Sequence, residues 1–318
     1  MDGLAPVSRV GLGTWQFGSR EWGYGQDYAG GAAGRIVRRA LELGVTLFDT
    51  AEVYGLGRSE RILGEALGER RTGVVLASKV FPVAPFPAVV HRRAVASADR
   101  LGVRTIPLYQ VHQAIPVVPD TVIMPGMRRL LDEDRIGAVG VSNYSLDRWR
   151  AADRALGRPV VSNQVQFSLA HPGPLEDLVP FAREHDRLVI AWSPLAQGLL
   201  GGRYSEANRP GGVRGVNPLF AVDNLRRVQP LLDVLREVAA GHGVRPSQAA
   251  LAWLVAQPRV VVIPGASSVE QLESNVEAAS VRLEPAAVAA LTDAARSFNP
   301  AGPARLLAGA GLSRLSRR

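Results

Sequence analysis

Four residues that could together transfer a proton each stand close behind a short apolar run of the sequence. Asp49, Lys79 and His112 directly follow such runs, and Tyr54 lies five positions after Asp49. Short apolar runs are typical of buried parallel strands. The carboxyl ends of parallel strands are where α/β proteins place their reactive groups. We therefore predict that these four side chains meet at one end of a sheet.

Lys79 stands out because it is the only lysine in the chain. Every other residue among the 37 lysines and arginines is an arginine. An arginine stays charged at any relevant pH, whereas a lysine is a compact charge whose pKa can be tuned. One lysine at an apolar strand end therefore favours a chemical role over a chance position on the surface.

The chemistry open to this set is the donation of a proton to an oxygen atom that gains negative charge. A tyrosine hydroxyl has an ordinary pKa of about 10, and an ammonium group beside Tyr54 is expected to lower it. Asp49 would orient Lys79 and keep it charged, while His112 would hydrogen-bond the substrate oxygen. This is half of a carbonyl reduction. The other half is a hydride, which no side chain supplies.

The apolar runs recur along the whole chain and predict the elements that must position these residues. Each run has about 4–6 residues, and most lie about 20–35 residues apart, which is one strand plus one helix. The predicted strands are 10–12, 45–48, 74–78, 106–111, 136–141, 160–162, 188–191 and 260–263. The predicted helices between them are near 31–43, 58–69, 87–101, 121–133, 145–157 and 174–186. About eight such units predict an α/β fold, the (β/α)8 TIM barrel.

The last part of the chain adds elements to this repeat. Residues 194–222 form the longest irregular, glycine-rich stretch, and helices near 223–241 and 246–257 precede the last strand. Ser268 begins another helix as a capping box with Gln271, and a helix near 285–298 is followed by a tail. We therefore predict a single domain over residues 1–318, with an extra helix before the last strand and a C-terminal helix and tail.

Composition narrows the class of protein. The chain is 47% apolar and 21% charged, which suits a large core, and it has no cysteine for disulfides, thiolate metal sites or cysteine nucleophiles. No metal site is predicted. No apolar run reaches the roughly 18 residues of a membrane span, and no basic-then-apolar leader begins the chain, so we expect a cytoplasmic protein without a membrane partner.

The net charge of +8 raises the question of an anionic partner. The arginines are scattered along predicted helices and do not form one block with interleaved aromatic residues, so nucleic acid is not expected. A positive field would instead favour an anionic cofactor.

The remaining strand ends carry groups that suit a nucleotide cofactor. Ser142, Asn143 and Gln164 offer hydroxyl and amide groups that could bind a carboxamide, and Trp192 offers an aromatic face for a nicotinamide ring. Glycines after Trp192 would let backbone N–H groups approach a pyrophosphate, with Arg203 adding charge.

An aromatic loop follows the first strand. The segment from Gly11 to Gln16 has two of the glycines of the Rossmann dinucleotide-binding fingerprint. It does not match that fingerprint, because Gln16 stands in the place of the third glycine. The aromatic residues of the loop could line a substrate pocket or pack at the rim, and both interpretations stay open. The predicted substrate contacts are Trp15, Trp22, Tyr24, Tyr54, Phe81 and His112.

Taken together, these motifs make the chain resemble the aldo-keto reductases over nearly its whole length. Four residues match the family's catalytic tetrad: Asp49, Tyr54, Lys79 and His112. Four segments match its nucleotide-binding motifs: 140–143, 163–164, 192–198 and 263–267. The resemblance implies reduction of aldehydes or ketones to alcohols by hydride transfer, with a tyrosine general acid and NADPH bound extended across the barrel mouth. It implies these cofactor contacts: Gly13, Thr14, Trp15, Asp49, Ser142, Asn143, Gln164, Trp192, Ser193, Pro194, Leu195, Gln197, Gly198, Leu200, Arg203, Pro264, Gly265, Ala266, Ser267, Gln271 and Asn275.

Two positions depart from the family pattern. Trp192 stands where members often have a tyrosine, an exchange that preserves an aromatic face. Ser267 stands where many members have a basic residue near the 2′-phosphate of the cofactor, so NADH stays open beside NADPH. Gln271 and Asn275 fall where contacts to adenine are expected.

Two other functions stay open. A barrel lysine can form a Schiff base with a carbonyl substrate, so Lys79 could serve a lyase of the aldolase type. The same fold could also be a cofactor-sensing binding subunit with little turnover. Residues suited to a nicotinamide have no use in a lyase. The sequence leaves the natural carbonyl substrate and the oligomeric state open.

Overall fold

The structure, a computed structural model, describes residues 4–18 and 31–301. Eight strands form one sheet in chain order, and each strand runs parallel to the next. They are β1 Leu12–Gly13, β2 Leu47–Asp49, β3 Val75–Val80, β4 Ile106–Val111, β5 Ile136–Ser142, β6 Ser162–Gln166, β7 Leu188–Trp192 and β8 Val260–Val262. The predicted Trp22 and Tyr24 and the tail after Ala301 lie outside the described residues.

The sheet closes on itself between its first and last strands. Val10 forms a parallel bridge with Val262. The Gly11 N–H donates to the Val262 carbonyl at 2.8 Å, and the Gly13 N–H donates to the Pro264 carbonyl at 3.2 Å. A closed ring leaves no strand edge unpaired. The predicted (β/α)8 barrel is therefore confirmed.

Thirteen α-helices lie within the described ranges, most of them between successive strands. They are α1 Trp15–Gly18, α2 Ala33–Glu42, α3 Arg58–Leu67, α4 Pro87–Leu101, α5 Asp120–Asp132, α6 Leu146–Leu156, α7 Leu178–Glu184, α8 Gly212–Gly215, α9 Val222–Arg227, α10 Gln229–Gly241, α11 Pro246–Ala256, α12 Val269–Glu277 and α13 Pro285–Ser297. None of the helices in this part of the chain is long and apolar enough to cross a membrane.

Two predicted helices have different bounds in the structure. The helix expected near 223–241 is divided into α9 and α10, because Pro230 in the first turn of α10 has no N–H to continue the helix before it. The helix expected near 174–186 begins as the 3-10 helix Gly173–Leu175. It continues as α7, where the Asp177 side chain accepts a hydrogen bond from the Leu178 N–H.

Alternation along the strands divides the apolar residues into two layers. Residues such as Leu76, Tyr109 and Val139 point outward and pack under the helices. A smaller group fills the inside of the ring: Leu4, Leu47, Val75, Ala77, Leu108, Ala138, Val161, Leu188, Ile190, Val261 and Ile263. The inner layer forms an apolar floor, and polar strand ends stand above it.

Gly140 on β5 has a steric role inside the barrel. A Cβ atom at this position would lie 2.4 Å from the Ser162 Oγ and 2.9 Å from the Gln110 Cγ. Both neighbours are completely buried. Any larger residue at Gly140 would therefore displace Gln110, which stands directly under the candidate site.

The start of α12, which borders the site, follows the predicted capping chemistry in part. The Ser268 Oγ accepts a hydrogen bond from the Gln271 N–H at 3.3 Å, as the capping-box prediction requires. The Gln271 Oε1, however, accepts from the N–H of Ser267 at 2.9 Å and from its hydroxyl at 2.7 Å. The glutamine therefore binds one residue further back than predicted and engages the Ser267 side chain.

Candidate active site

Lys79 is the centre of the polar group at the carboxyl end of the barrel. Its Nζ donates to the Asp49 Oδ1 at 2.7 Å, to the Thr50 carbonyl at 2.8 Å and to the Tyr54 hydroxyl at 3.2 Å. An ammonium group has three N–H donors, and all three are used. The residue is 0% exposed. The structure thus places the lysine, the aspartate and the tyrosine in direct contact.

Asp49 is held from its other side by two buried amides. The Gln164 Nε2 donates to its Oδ2 at 2.7 Å, and the Gln110 Nε2 lies 3.5 Å from the same oxygen. Gln110 is paired in register with Lys79 across β3 and β4. Sequence reasoning missed Gln110, although an amide inside the apolar run 106–111 was a visible signal. These contacts fix the carboxylate before any ligand arrives.

The pKa of Lys79 is raised in this environment. Burial acts to lower it, but the negative charge of Asp49, the Tyr54 hydroxyl and the hydrogen bonds to both act more strongly in the opposite direction. The side chain is therefore an ammonium ion at neutral pH.

The pKa of Tyr54 is also raised, because burial disfavours the phenolate. The charge of Lys79 acts to lower it and the charge of Asp49 to raise it. The net direction differs from the expectation that Lys79 brings the pKa of the hydroxyl down, since desolvation was not visible in the sequence. The hydroxyl keeps its proton at neutral pH, and Lys79 offsets part of the cost of losing it.

His112 is neutral and lies edge-on to two rings. Burial, followed by the charge of Lys79, lowers the pKa of His112 to about 3. Its ring centroid is 5.6 Å from that of Tyr54 and 5.9 Å from that of Phe81, both in edge contacts. Its Nδ1 is buried and has no hydrogen-bond partner among residues 4–18 and 31–301. The imidazole can therefore donate one N–H hydrogen bond but cannot act as an imidazolium acid near pH 7.

The loop that carries Tyr54 is tied to the next loop by a partly buried ion pair between Glu52 and Arg93. The Glu52 Oε1 accepts from the Phe81 N–H at 2.6 Å, and the Arg93 Nε donates to the Glu52 Oε2 at 2.9 Å. Arg93 also donates to the Phe81 carbonyl at 2.7 Å. Because both loops share this contact, Tyr54 and Phe81 are positioned together.

A cavity of about 960 Å³ opens above these residues. It includes Asp49, Tyr54, Phe81, His112 and Gln164 in its lining, together with the following predicted cofactor residues: Gly13, Thr14, Trp15, Ser142, Asn143, Trp192, Ser193, Pro194, Leu195, Gln197, Gly198, Arg203, Pro264, Gly265, Ala266, Ser267, Gln271 and Asn275. Leu200 does not line it, because its side chain is buried in the hydrophobic core below the loop after β7.

Several lining residues were not predicted from the sequence. They are Gln16, Val53, Gln113, Tyr204, Arg214, Arg245, Ser247 and Ser274, whereas Ile263 belongs to the predicted segment 263–267. Gln16 joins the loops after β1 and β8, because its Nε2 donates to the Ala266 carbonyl at 3.0 Å. Arg245 and Ser247 come from the start of α11, far along the chain from the strand-end motifs, so the pattern of strand ends gave no signal for them.

Asn143 connects three loops around the cavity. The Trp192 Nε1 donates to its Oδ1 at 3.0 Å, while its own Nδ2 donates to the Gln113 Oε1 at 2.9 Å. The same Nδ2 lies 3.3 Å from the His112 carbonyl. Asn143 has a φ of +60°, which asparagine tolerates better than most residues. The indole of Trp192 is therefore oriented by an amide at the end of β5.

The loop after β7 turns sharply where it borders the cavity. Ser193, Ala196, Gln197 and Gly198 have φ values of +52°, +48°, +57° and +94°. Three of them are not glycine, and left-handed conformations of this kind concentrate at ligand sites. Turns that mix right- and left-handed residues direct successive N–H groups to one concave side, where anions bind. This loop fits a pyrophosphate group.

The charges around the cavity also fit an anionic ligand. Among the described residues, its lining includes three arginines, Arg203, Arg214 and Arg245, and one carboxylate, Asp49. Asp49 is already paired with Lys79. The outer part of the cavity is therefore positive and matches the charge of a dinucleotide.

Known proteins with similar sequences come from several organisms. The model of the Aldo/keto reductase family matches residues 9–296. An uncharacterized oxidoreductase of Mycobacterium tuberculosis strain H37Rv is 67% identical over 318 residues, which are 100% of this chain and 98% of the relative. An aldo-keto reductase of Strobilurus tenacellus is 31% identical over 306 residues, covering 91% of this chain and 89% of the relative.

Solved structures share the fold over most of their length. The glycerol dehydrogenase of Gluconobacter oxydans has a TM-score of 0.84 at 27% identity, with 94% of this chain and 95% of that chain covered. An aldo-keto reductase of Klebsiella pneumoniae, solved in complex with NADPH, has a TM-score of 0.73 at 29% identity, with 93% of each chain covered. Because the family model spans nearly the whole chain, this protein belongs to the aldo/keto reductase family.

Proposed function

We propose that the protein is an NADPH-dependent reductase that converts aldehydes or ketones to alcohols, with Tyr54 as the proton donor. One observation carries the proposal: a buried, charged Lys79 contacts both Asp49 and Tyr54 at the base of a cavity large enough for a nucleotide and a substrate. The NADPH complex of the Klebsiella pneumoniae relative supports the choice of cofactor.

The residues present would hold the cofactor in three groups. Ser142, Asn143 and Gln164 would bind the nicotinamide carboxamide, and Trp192 would pack against its ring. The loop 193–198 and Arg203 would bind the pyrophosphate, and residues near α12 would bind the adenosine. When bound, NADPH supplies the hydride for the carbonyl carbon.

The proton reaches the substrate oxygen from Tyr54. As negative charge grows on that oxygen, the hydroxyl donates its proton, and the positive charge of Lys79 stabilises the phenolate that remains. Asp49 keeps Lys79 charged and oriented through the 2.7 Å ion pair. The neutral His112 donates a hydrogen bond to the same oxygen and so fixes its distance from Tyr54.

Three large apolar side chains line the cavity beside the tetrad. Trp15 is 46% exposed and Val53 is 38% exposed, and both line the cavity with Phe81. Among the described residues of the loops after β1 to β4, no arginine lines the cavity. We therefore expect carbonyl substrates whose substituents next to the reacting carbon are uncharged and apolar.

The structural environment of Lys79 disfavours a Schiff-base lyase. An amine must be neutral to attack a carbonyl carbon, and enzymes prepare such lysines by lowering their pKa. The pKa of Lys79 is instead raised, and all its donors are engaged. Attack would require breaking the ion pair with Asp49.

The test is a screen for NADPH oxidation over aldehydes, ketones, quinones and pyridoxal, with alcohol products identified by mass spectrometry. The proposal requires turnover with at least one class and one alcohol formed per NADPH consumed. Substrate trapped on Lys79 by borohydride would instead support a lyase. Tight NADPH binding with negligible turnover across the whole screen would favour the cofactor-sensing subunit.

A further inference from the structure

We infer that Arg245 binds the 2′-phosphate of the cofactor and thereby makes the protein selective for NADPH over NADH. The inference rests on the proposed function, since it concerns the same cofactor site. NADPH differs from NADH only by the 2′-phosphate on the adenosine ribose. A residue that contacts this group must therefore change the affinity for one cofactor and leave the other nearly unaffected.

Arg245 lies at the end of the cavity that borders α12. It directly precedes α11, and Gln248 in the first turn of α11 donates to the Ser274 carbonyl at 3.3 Å and to the Glu277 carboxylate at 3.0 Å. These bonds hold the start of α11 against α12. Arg245 and Ser274 line the same cavity as Gln271 and therefore border the predicted adenosine site.

The Arg245 guanidinium has no hydrogen-bond or ion-pair partner within residues 4–18 and 31–301, and its side chain is exposed. The nearby carboxylates are engaged elsewhere, because Glu273 accepts from the Arg39 Nε at 2.7 Å and Glu277 accepts from Gln248. A planar guanidinium binds phosphate oxygens through paired hydrogen bonds. Arg245 is thus a cation available for an incoming phosphate at this end.

Ser267 is less suited to that role. Its hydroxyl and its N–H both donate to the Gln271 Oε1, at 2.7 and 2.9 Å. It carries no charge, and a phosphate would have to displace both bonds before Ser267 could bind it. The positive charge for a 2′-phosphate therefore has to come from another element, and Arg245 supplies it from α11.

The two arginines of the loop after β7 serve a different group. Arg203 and Arg214 follow the sharply turned segment 193–198, which fits the pyrophosphate. NADPH and NADH share their pyrophosphate, so these arginines bind both cofactors. Arg203 and Arg214 lie after β7, whereas Arg245 lies at the start of α11. Substitutions can therefore test the role of Arg245 separately from pyrophosphate binding.

The experiment measures binding alone, by isothermal titration calorimetry on the full chain. Arg245→Gln is titrated with NADPH, NADH, 2′,5′-ADP and 5′-AMP. Loss of a charged hydrogen-bond donor should weaken NADPH and 2′,5′-ADP by about ten- to a hundredfold. NADH and 5′-AMP should stay within about twofold of the wild-type affinity. Arg245→Lys keeps a charge but lacks the planar guanidinium. Its affinity for NADPH should therefore lie between those of the wild type and Arg245→Gln.

Two matched variants serve as controls. Arg154 is an exposed arginine on α6 and does not line the cavity, so Arg154→Gln removes the same charge without touching the site. It should bind all four ligands as the wild type does. Arg203→Gln should weaken NADPH and NADH by similar factors. Thermal unfolding of each variant shows that the fold is intact.

Two results would overturn the inference while leaving the proposed function standing. One is an equal loss of NADPH and NADH affinity in Arg245→Gln, which would assign the residue to the pyrophosphate. The other is unchanged NADPH affinity in both Arg245 variants. A wild-type protein that binds neither NADPH nor NADH would overturn the proposed function itself.

Discussion

The tetrad and the outer part of the cavity hold their positive charges in opposite ways. Lys79 is completely buried, and its three N–H groups are already bonded to neighbouring oxygens. Arg203 and Arg245 are exposed, and neither forms an ion pair with the described residues. Removing a charge from water costs free energy, so a buried cation must be paired with protein groups in the folded state. An exposed cation remains hydrated and can bind a ligand later.

Because of this difference, substitutions in the tetrad and in the outer part of the cavity should change different properties of the protein. The tetrad is organised before binding, which suits stabilisation of a charge that appears only during reaction. In the proposed function, the exposed arginines and the turned loop contact the cofactor, which suits affinity and cofactor choice. Substitutions in the tetrad should therefore change kcat, and substitutions in the outer cavity should change Kd.

The largest effect is expected from Tyr54→Phe, which removes one oxygen and preserves the ring. Carbonyl reduction should fall by about 10²–10⁴-fold in kcat as well as in kcat/KM, because the lost hydrogen bond strengthens only as charge grows on the substrate oxygen. NADPH affinity should stay within a few-fold. A quinone needs less help from a proton donor, so its reduction should suffer less than that of an aldehyde.

The matched comparison for Tyr54→Phe is the same assay with His112→Gln. If the tyrosine variant shows an equally small effect on the aldehyde and the quinone, Tyr54 is not the proton donor, and the neutral His112 is left as a hydrogen-bond donor to the substrate oxygen. A large loss of NADPH affinity would instead contradict the separation of the two regions.

The next effect concerns Lys79→Arg, which keeps the charge but changes its shape and reach. The buried position fits three short contacts to a compact ammonium, so a guanidinium cannot reproduce the bonds to Asp49 and Tyr54. We expect kcat for an aldehyde to fall by at least about 10²-fold. Steady-state kinetics at saturating NADPH provide the measurement. A near-normal kcat would remove Lys79 from the mechanism.

Trp192→Ala tests the boundary between the regions. It should weaken NADPH binding by about tenfold through loss of the aromatic face. Trp192→Phe keeps a ring but loses the 3.0 Å bond to Asn143, so it should retain more of the affinity. Titration calorimetry measures both. In the wild type, NADPH should quench tryptophan fluorescence; unchanged emission at saturation with continued turnover would contradict stacking on Trp192.

A smaller effect is expected from Arg203→Gln in the outer cavity. The exposed guanidinium should contribute roughly three- to tenfold to the affinity for NADPH and for NADH alike. Because the interaction is exposed to solvent, added salt should reduce the difference between variant and wild type. kcat at saturating cofactor should be unchanged. A fall in kcat without a change in Kd would contradict the assignment of this arginine to binding.

The smallest effect is on stability and arises from His112. The unfolded chain binds a proton at this residue below about pH 6.5, whereas the folded protein resists it until about pH 3. Stability therefore falls as the pH falls, and His112 should account for about 1 kcal/mol between pH 6.5 and 5.5. Urea unfolding of wild type and His112→Gln at both pH values measures this. An equal pH dependence in both proteins would show that His112 titrates freely.

The sequence alone determined the ring of strands and the meeting of the tetrad. Short apolar runs at regular spacing define parallel strands, and parallel strands in chain order place their carboxyl ends on one face. Asp49, Lys79 and His112 were predictable because each ends such a run. Trp192 and the segment after it were found for the same reason. Such signals are local, so they can be read from the residue types alone.

Only the tertiary structure decided how those residues behave and what surrounds them. The pKa of Tyr54 is raised by burial, which depends on all neighbouring elements. Leu200 turned inward to the core, and Gln110 was joined to Asp49 from a different strand. Arg245 reached the cavity because Gln248 fastens α11 to α12. Desolvation, charge pairing and helix contacts sum over residues distant in the chain, so no local pattern could specify them.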